Sequence, residues 1–252
     1  MQKFIISLQK KNIRDREKLF VIEGDKLIKE FLSAKASINI LAARPEFIAL
    51  LPSDLTGSVN EIVNVSYEEL KHISTLKTPK NALAVIPIPH KKIDTTEIFK
   101  GLSLVLDCIQ DPGNLGTIIR AAAWFGISDI VCSHDCVDVY NPKVIQASMG
   151  AILHVNVYYS NLEEFILSAK RVKVPIFGAM LEGASIYEHK LDNKGVIILG
   201  NESKGISEEL YPLITDTIMI PGINKAMPGI ESLNVGMATS VILSEFARRN
   251  YQ

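Results

Sequence analysis

Three separate segments of the chain place polar side chains directly after apolar, strand-like runs. The first segment, DCIQDPGNLGTIIRAAAWFG, follows LSLVLD and contains Asn114 and Arg120. Charged side chains are rarely buried without a partner, so an arginine in this apolar stretch is a candidate to hold a phosphate or a reacting oxygen. Alternatively, Arg120 reaches the surface or makes a structural ion pair. Asn114 could cap the helix that begins in this segment.

The second segment is ILGNESKGI, which begins in the apolar run GVIILG. Gly200 permits close approach of the backbone, and Gly205 permits a turn. Asn201 and Glu202 are expected at the tip of the strand. A polar turn of this composition is common, so this segment alone predicts no catalysis.

The third segment, IPGINKAMPGIESLNVGMA, joins an apolar run that ends at Ile220 to the last predicted helix. Its glycine- and proline-rich loop is longer than most connections, and such loops often carry function. Ser232 or Asn234 could instead simply cap the helix. Because ligands bind at the carboxyl ends of strands in open parallel sheets, the three segments are candidates for one ligand site.

The elements that must hold these segments alternate between strand-like and helix-like runs. The runs LSLVLD, GVIILG and TIMIPG are apolar almost throughout, which is typical of parallel strands covered by helices on both faces. The polar stretch HKKIDTTEIFKG is the best candidate for an interdomain linker. We therefore expect an α/β protein with a smaller α/β domain over residues 1–90, a linker over 91–100 and a larger domain over 101–252.

Composition and charge exclude several classes of protein. The chain is 47% hydrophobic and 22% charged, as in ordinary globular proteins. No apolar run approaches the ~20 residues of a membrane helix. The N-terminus does not resemble a signal peptide, so we expect a cytoplasmic protein. The spacing of Cys132, His134 and Cys136 is not that of a common zinc motif, so we expect reduced thiols and no metal.

The net charge of −1 is unevenly distributed. Between Lys3 and Lys18, six basic residues stand against Asp15 and Glu17, a local balance of +4. Such a patch can attract phosphates. It can equally be a solvated helix face with internal ion pairs, and the segment alone favours neither interpretation.

Taken in order, the three segments resemble the motifs of the SpoU family of RNA ribose methyltransferases, within the SPOUT superfamily. The matching residues are Asn114-x-Gly116-x-x-x-Arg120, Leu199-Gly200-Asn201-Glu202-x-x-Gly205, and Ile220-Pro221 followed by Ser232-Leu233-Asn234-Val235. Ala147-Ser148-Met149-Gly150-Ala151 also looks like a family feature. The N-terminal SLQKKNIRDREKLFVIEGDKLIKEFL resembles the start of the family's substrate-binding domain, which is similar to a ribosomal RNA-binding fold. One departure is the spacer Gly222 to Glu231, which is longer than is usual in the family.

The resemblance implies a knotted α/β (SPOUT) domain that binds S-adenosylmethionine, with the knot near the last strand and the C-terminal helix. It implies a homodimer that methylates a ribose 2′-hydroxyl of ribosomal RNA or, less directly, transfer RNA. The expected catalytic residues are Asn114, Arg120, Glu202, Ser232 and Asn234. The expected cofactor-binding residues are Leu199, Gly200, Asn201, Gly205, Ile220, Pro221 and Leu233. The expected RNA contacts of the N-terminal domain are Lys10, Lys11, Arg14 and Arg16.

Three other functions remain open from the sequence. The chain could be an RNA-binding member of the same fold that has lost catalysis. It could be an unrelated doubly wound enzyme, although it has no G-x-G-x-x-G or Walker loop. It could also methylate a base, although the Ser-Leu-Asn motif favours a ribose.

Overall fold

The computed structural model describes residues 1–222 and 232–250, without the side chain of Asn250. The helices are α1 (Gln2–Ser7), α2 (Lys11–Glu17), α3 (Asp25–Ser33), α4 (Pro45–Ala49), α5 (Tyr67–Ile73), α6 (Thr95–Ile98), α7 (Pro112–Trp124), α8 (Pro142–Ser148), α9 (Leu162–Arg171) and α10 (Val235–Asn250). The strands are β1 (Leu19–Glu23), β2 (Ile38–Ala43), β3 (Val59–Asn64), β4 (Ala82–Pro87), β5 (Leu102–Leu106), β6 (Asp129–Cys132), β7 (Asn156–Tyr159), β8 (Ile176–Ser185), β9 (Gly195–Leu199) and β10 (Asp216–Met219). Short 3-10 helices span Thr56–Ser58, Ala151–Leu153 and Glu208–Leu213.

The chain forms two compact units. The first comprises Met1–His90 together with Asp138–Leu153, and the second comprises Lys91–Val137 together with His154–Gln252. These bounds differ from the sequence-based division, which places residues 138–153 in the larger domain. Part of the expected linker also folds, because α6 is capped by Asp94 and followed by the buried Phe99, whose ring centroid lies 5.3 Å from that of Phe165 in the second unit.

The first unit is built on a four-stranded sheet of order β1-β4-β2-β3. Strand β4 is antiparallel to both of its neighbours, whereas β2 and β3 are parallel. Two clusters of buried apolar side chains occupy this unit. A capping box begins α5, because the Ser66 hydroxyl accepts the backbone N–H of Glu69 and the Glu69 carboxylate accepts that of Ser66.

The segment 138–153 belongs to the first unit because its side chains complete that unit's interior. The ring of Tyr140 lies 4.6 Å from the ring of Phe20, and Ile145 is only 1% exposed in the cluster that Phe20 shares. Asp138 pairs with the guanidinium of Arg14. An apolar contact and an ion pair across more than a hundred residues therefore define this segment's place.

The second unit contains a six-stranded, fully parallel sheet of order β10-β8-β9-β5-β6-β7. The predicted parallel α/β architecture is confirmed. Helix α7 begins at Pro112 and is capped by the Asp111 carboxylate, which accepts the backbone N–H of Asn114 at 2.8 Å. Asp111 is thus the cap that the sequence analysis assigned to Asn114, and the Asn114 side chain is left for other contacts.

Helix α10 is fastened at its C-terminal end by a buried carboxylate. Glu245 accepts hydrogen bonds from Arg248 and Arg249 at 2.7–2.8 Å, and the pKa of Glu245 is lowered to about 2, chiefly by the Arg248 hydrogen bond. The Arg249 guanidinium also donates to the carbonyls of Ile186 and Tyr187. This clasp ties the last helix to the chain that follows β8.

Apart from Gly222, the long spacer Gly222–Glu231 lies outside the described residues, and so does the connection on which the expected knot depends. None of the helices in the described parts of the chain is both long enough and apolar enough to span a bilayer.

Candidate active site

Three of the five predicted catalytic residues form one chain of hydrogen bonds in the second unit. The Asn114 amide donates to Glu202 Oε1 at 2.5 Å, and the Asn234 amide donates to Asn114 Oδ1 at 2.8 Å. Each residue comes from a different one of the three segments. Because every donor and acceptor is specified by its neighbour, the network fixes the orientation of two amides and a carboxylate.

Asn234 has two roles in this arrangement. Its Oδ1 accepts the backbone N–H groups of Gly236 and Met237 at 3.0 and 3.3 Å, so Asn234 caps α10 as the sequence analysis allowed. Its Nδ2 simultaneously reaches Asn114. The capping and site interpretations are therefore compatible, and the cap sets the rotamer that presents the amide to the network.

Asn201 shapes the loop after β9. Its amide donates to the Cys108 carbonyl at 2.9 Å, and its Oδ1 accepts the backbone N–H groups of Ser203 and Lys204 at 2.9 and 3.1 Å. The backbones of Asn201 and Gly205 exchange hydrogen bonds at 2.9 and 2.8 Å. Gly205 has φ of +74°, so the turn predicted at this glycine is confirmed.

Gly200 allows the backbone of this loop to fold against itself. A Cβ at this position would lie 2.2–2.3 Å from the main-chain atoms of Gly205 and Ile206. These atoms are backbone and cannot swing aside, so any side chain must displace the loop. The need for glycine here arises from the protein's own packing, whether or not a ligand also approaches.

We expect Gly200→Ala to weaken S-adenosylmethionine binding by on the order of tenfold or more, because overpacking at this contact forces the loop to shift. Isothermal titration calorimetry measures the effect. Gly101→Ala is the matched control, since a Cβ at Gly101 meets nothing within 4 Å. Equal affinities for wild type and Gly200→Ala would show that the loop does not contact the cofactor.

Two positioning elements were missed by sequence reasoning, and the first is Asp107. This residue is 6% exposed, and its carboxylate accepts the backbone N–H of Ser207 at 2.7 Å. Its own N–H donates to the Leu199 carbonyl. Asp107 thereby joins the loop after β5 to the loop after β9. The sequence contains one signal that could have identified Asp107, because this carboxylate ends the otherwise apolar run LSLVLD.

The second missed element is the carboxyl end of β8. The sheet order places β8 between β9 and β10, the strands that lead into the second and third segments. Residues 179–183 leave the ladder, since Gly178 pairs with Thr217 whereas Ala184 pairs with Ile218. Leu181 in this excursion is 69% exposed. The excursion therefore lies at the strand ends where the site is expected, and it adds apolar surface there.

Arg120 stands apart from the network. It is exposed on α7, roughly 9 Å of helix rise beyond Asn114, and has no hydrogen-bond or ion-pair partner among residues 1–222 and 232–250. The inference that its segment buries it is wrong, because α7 turns Ile118, Ile119 and Ala122 inward and Arg120 outward. Ser232 is also exposed. The structure thus places two predicted catalytic side chains where a substrate can reach them.

The residues predicted to bind the cofactor lie around these strand ends. Leu199 is 2% exposed and closes the ladder opposite Leu106, so only its main chain is available. Ile220 and Pro221 follow the last ladder pair of β10 and are partly buried, while Leu233 is 46% exposed. Main-chain groups beside half-exposed apolar side chains suit a ligand that carries both an aromatic base and an amino acid. The donor set therefore fits S-adenosylmethionine.

Of the four predicted RNA contacts, Lys10, Lys11 and Arg16 are exposed. Arg14 is the exception, with 2% exposure, because its guanidinium donates to the carbonyls of Leu8 and Gln9 at 2.8 Å and to Asp138. These contacts use four of the five guanidinium N–H groups of Arg14, and the side chain is buried, so we correct its assignment from an RNA contact to a structural residue.

Cys132, the last residue of β6, and Cys136 form a buried pair of thiols. The pKa of Cys136 is lowered to about 7, first by a hydrogen bond from the Cys132 thiol, while the pKa of Cys132 is raised by the same contact and by burial. Cys136 Sγ also accepts the backbone N–H of Ile109 at 3.2 Å. His134 is exposed, and within the described ranges no group of three potential metal ligands lies together.

A parallel sheet whose strand ends hold a polar network defines an α/β enzyme with its ligand site at the carboxyl edge. The chain belongs to the SpoU rRNA methylase family, whose model matches residues 101–244. Residues 3–84 match the MRM3-like substrate binding domain. The recognition of the family from its three motifs is confirmed.

Three individual proteins illustrate the similarity. The 23S rRNA (guanosine(2553)-2'-O)-methyltransferase RlmP of Bacillus subtilis is 27% identical over 94% of this chain and 91% of its own length. A structure described as an RNA methyltransferase of the TrmH family from Porphyromonas gingivalis is 37% identical, with a TM-score of 0.87 over 98% of this chain and 97% of that one. An AdoMet-bound rRNA methyltransferase from Sinorhizobium meliloti is 26% identical, with a TM-score of 0.85 over 100% and 95%.

Proposed function

We propose that this protein transfers a methyl group from S-adenosylmethionine to a ribose 2′-hydroxyl of ribosomal RNA. The observation that carries the proposal is the hydrogen-bonded set Glu202–Asn114–Asn234, which joins the three family segments at the strand ends. One relative that spans nearly the whole chain is named as a 23S rRNA 2′-O-methyltransferase and another as an rRNA methyltransferase, which supports the substrate. We place the enzyme in the cytoplasm.

The bound cofactor supplies an electrophilic methyl carbon with a good leaving group, so the protein has to align and deprotonate the hydroxyl. Arg120 is a permanent cation and a poor base. We propose that Arg120 contacts the ribose oxygen and the neighbouring phosphate. The phosphate accepts the hydroxyl proton as the oxygen bonds to the methyl carbon and the methyl group leaves the sulfur. Ser232 and the Asn114 network orient the ribose for in-line attack.

The test is methyl transfer to 23S ribosomal RNA in vitro, followed by mapping of ribose methylation. We expect one 2′-O-methylated nucleotide that appears only when protein and S-adenosylmethionine are both present. Methylation of a base would instead assign the chain to a different branch of the superfamily. Cofactor binding without any transfer would support the non-catalytic RNA-binding alternative.

We propose that the first unit binds RNA through phosphates, with Lys10, Lys11 and Arg16 as contacts, and that residues 101–252 form the methyltransferase domain. The exposure of these three cations supports their role. Phosphate contacts release counterions, so RNA affinity should fall steeply as the salt concentration rises.

We also propose that the enzyme is a homodimer with the active site close to the subunit interface. Trp124 is 84% exposed at the end of α7, and Met237 is 61% exposed on α10, which packs against α7. Tryptophan is among the residues that most often dominate the binding energy of protein interfaces, so an exposed tryptophan at the end of α7 supports a subunit interface there.

We expect wild-type protein to have the mass of a dimer by light scattering at micromolar concentration, and Trp124→Ala to shift it toward the monomer. Leu50→Ala, at a residue 74% exposed in the first unit, is the control and should stay dimeric. Trp124 is the only tryptophan, so its fluorescence should shift to the red on dissociation. A wild-type monomer would contradict the proposed dimer.

A further inference from the structure

A second cationic surface of the first unit runs from the last turn of α5 to the start of β4. The segment Lys71–Asn81, here the basic loop, reads KHISTLKTPKN and contains no acidic residue. Lys71, Lys77 and Lys80 are all exposed, and their ammonium groups have no partner in the described part of the chain. By contrast, Arg16 on α2 is paired with Glu17 at 2.8 Å. A phosphate that binds the lysines of the basic loop therefore displaces no carboxylate in the described part of the chain, whereas a phosphate that binds Arg16 competes with Glu17.

The N-terminal end of the basic loop is clamped by Glu23, at the end of β1. Glu23 Oε1 accepts the backbone N–H of Thr75 at 2.9 Å and its hydroxyl at 2.6 Å, and Oε2 accepts the Ser74 hydroxyl. Gln146 of the segment 138–153 donates to the Thr75 hydroxyl at 3.3 Å. One carboxylate thus fixes both backbone and side chains at this end.

The C-terminal end of the basic loop is clamped by Asp25. Its Oδ1 accepts the backbone N–H of Asn81 at 2.9 Å, and its Oδ2 accepts the Asn81 side-chain amide at 2.6 Å. Asp25 is the first residue of α3 and does not cap it, because the N-cap is Gly24 and no side-chain cap is present. Its carboxylate holds the basic loop instead.

We propose that the basic loop is a preorganised phosphate-binding surface through which the first unit grips RNA, in addition to α2. Both clamping carboxylates are occupied by hydrogen bonds to the loop, so the exposed side keeps its lysines and the Thr78 hydroxyl group. A loop that is already ordered has little conformational freedom to lose on binding. This proposal rests on the proposed RNA methyltransferase function.

The chemistry of the basic loop favours an RNA backbone over a protein partner. Protein interfaces concentrate aromatic and large apolar side chains, and the basic loop exposes none of them. Lysines and hydroxyl groups are the usual contacts to phosphate and sugar. Such contacts set the position of the RNA and not its sequence, so the basic loop is expected to contribute affinity.

The first test measures binding of a 23S ribosomal RNA transcript by Lys77→Ala/Lys80→Ala at several salt concentrations. We expect affinity to fall at least about tenfold at 0.1 M salt, and the slope of log K against log salt to become shallower by about 1.5. The control, Lys35→Ala/Lys143→Ala, removes two exposed lysines elsewhere in the first unit and should keep the wild-type slope.

The second test is Glu23→Gln, which makes the protein more positive by one charge. General electrostatic attraction predicts tighter RNA binding, whereas loss of the clamp predicts binding that is about two- to tenfold weaker. The weaker binding supports preorganisation, and tighter or unchanged binding overturns it. An unchanged slope for Lys77→Ala/Lys80→Ala overturns the surface itself. Loss of RNA binding with methyl transfer intact at saturating RNA leaves the proposed function standing.

Discussion

Replacing Arg120 with alanine is expected to lower kcat for methyl transfer by about 10²–10³-fold while the Kd for S-adenosylmethionine stays unchanged. The guanidinium projects from α7, and its removal breaks no hydrogen bond or ion pair within residues 1–222 and 232–250. Loss of one charged group that stabilises the transition state has an effect of this size in other enzymes. Single-turnover transfer to 23S ribosomal RNA measures the rate.

The control for Arg120 is Arg171→Ala, which removes an exposed arginine from the last turn of α9 in the same unit. It should transfer methyl groups at the wild-type rate. Arg120→Lys separates charge from geometry, because lysine keeps the charge but not the planar fork that binds two oxygens. Wild-type kcat in Arg120→Ala, with the cofactor still bound, would remove this residue from the mechanism.

Replacing Arg14 with alanine is expected to destabilise the first unit by about 3–5 kcal/mol. The side chains of Arg14 and Asp138 are only 3% and 11% exposed, and removal of one partner leaves a buried charge unpaired. The carbonyls of Leu8 and Gln9 lose their donor as well. Hydrogen exchange of amides in the β1–β4 sheet measures the free energy of opening this unit.

Arg16→Ala is the matched control, because Arg16 lies on the same helix and, among the residues that the structure describes, pairs only with the neighbouring Glu17 at the surface. It should change stability by no more than about 0.5 kcal/mol. The double variant Arg14→Ala/Asp138→Ala should cost less than the sum of the single variants, since neither charge is then left alone. If Arg14→Ala retained full stability, the ion pair would have no structural role.

Local pattern predicted the second unit well. The apolar runs LSLVLD and GVIILG became β5 and β9, adjacent and parallel at the centre of the sheet. Because parallel strands align their carboxyl ends, the residues that follow those runs had to meet, and Asn114 and Glu202 do. Apolar composition and the alternation of strand-like with helix-like runs are sufficient to predict these strands, because a central parallel strand is buried on both faces and therefore consists of apolar residues.

Long-range pairing was beyond the sequence. Nothing near Arg14 shows that Asp138, 124 residues away, will neutralise it, so a cation with acidic neighbours on α2 looked like part of a surface patch. The same limit hides the contacts of the segment 138–153 with residues near the N-terminus. Contacts between distant segments depend on how the whole chain packs, and a single sequence contains no local signal for them.

The capping of α7 shows a subtler limit. Asp111 and Asn114 are both good caps, and they stand three residues apart. Only the helix start decides between them, and Pro112 at the first position fixes that start. The preference for proline there, applied first, would have assigned the cap to Asp111 and left Asn114 available for the site.

The first unit is encoded by two separate stretches of the gene, because residues 138–153 return to it after the chain has entered the second unit. A fragment that stops at residue 90 would lack Tyr140, Ile145 and the counterion of Arg14. No single cut yields both units whole. Exchange of the first unit alone would require two breakpoints inside the sequence of the second, so recombination should preserve the pair as an inherited whole.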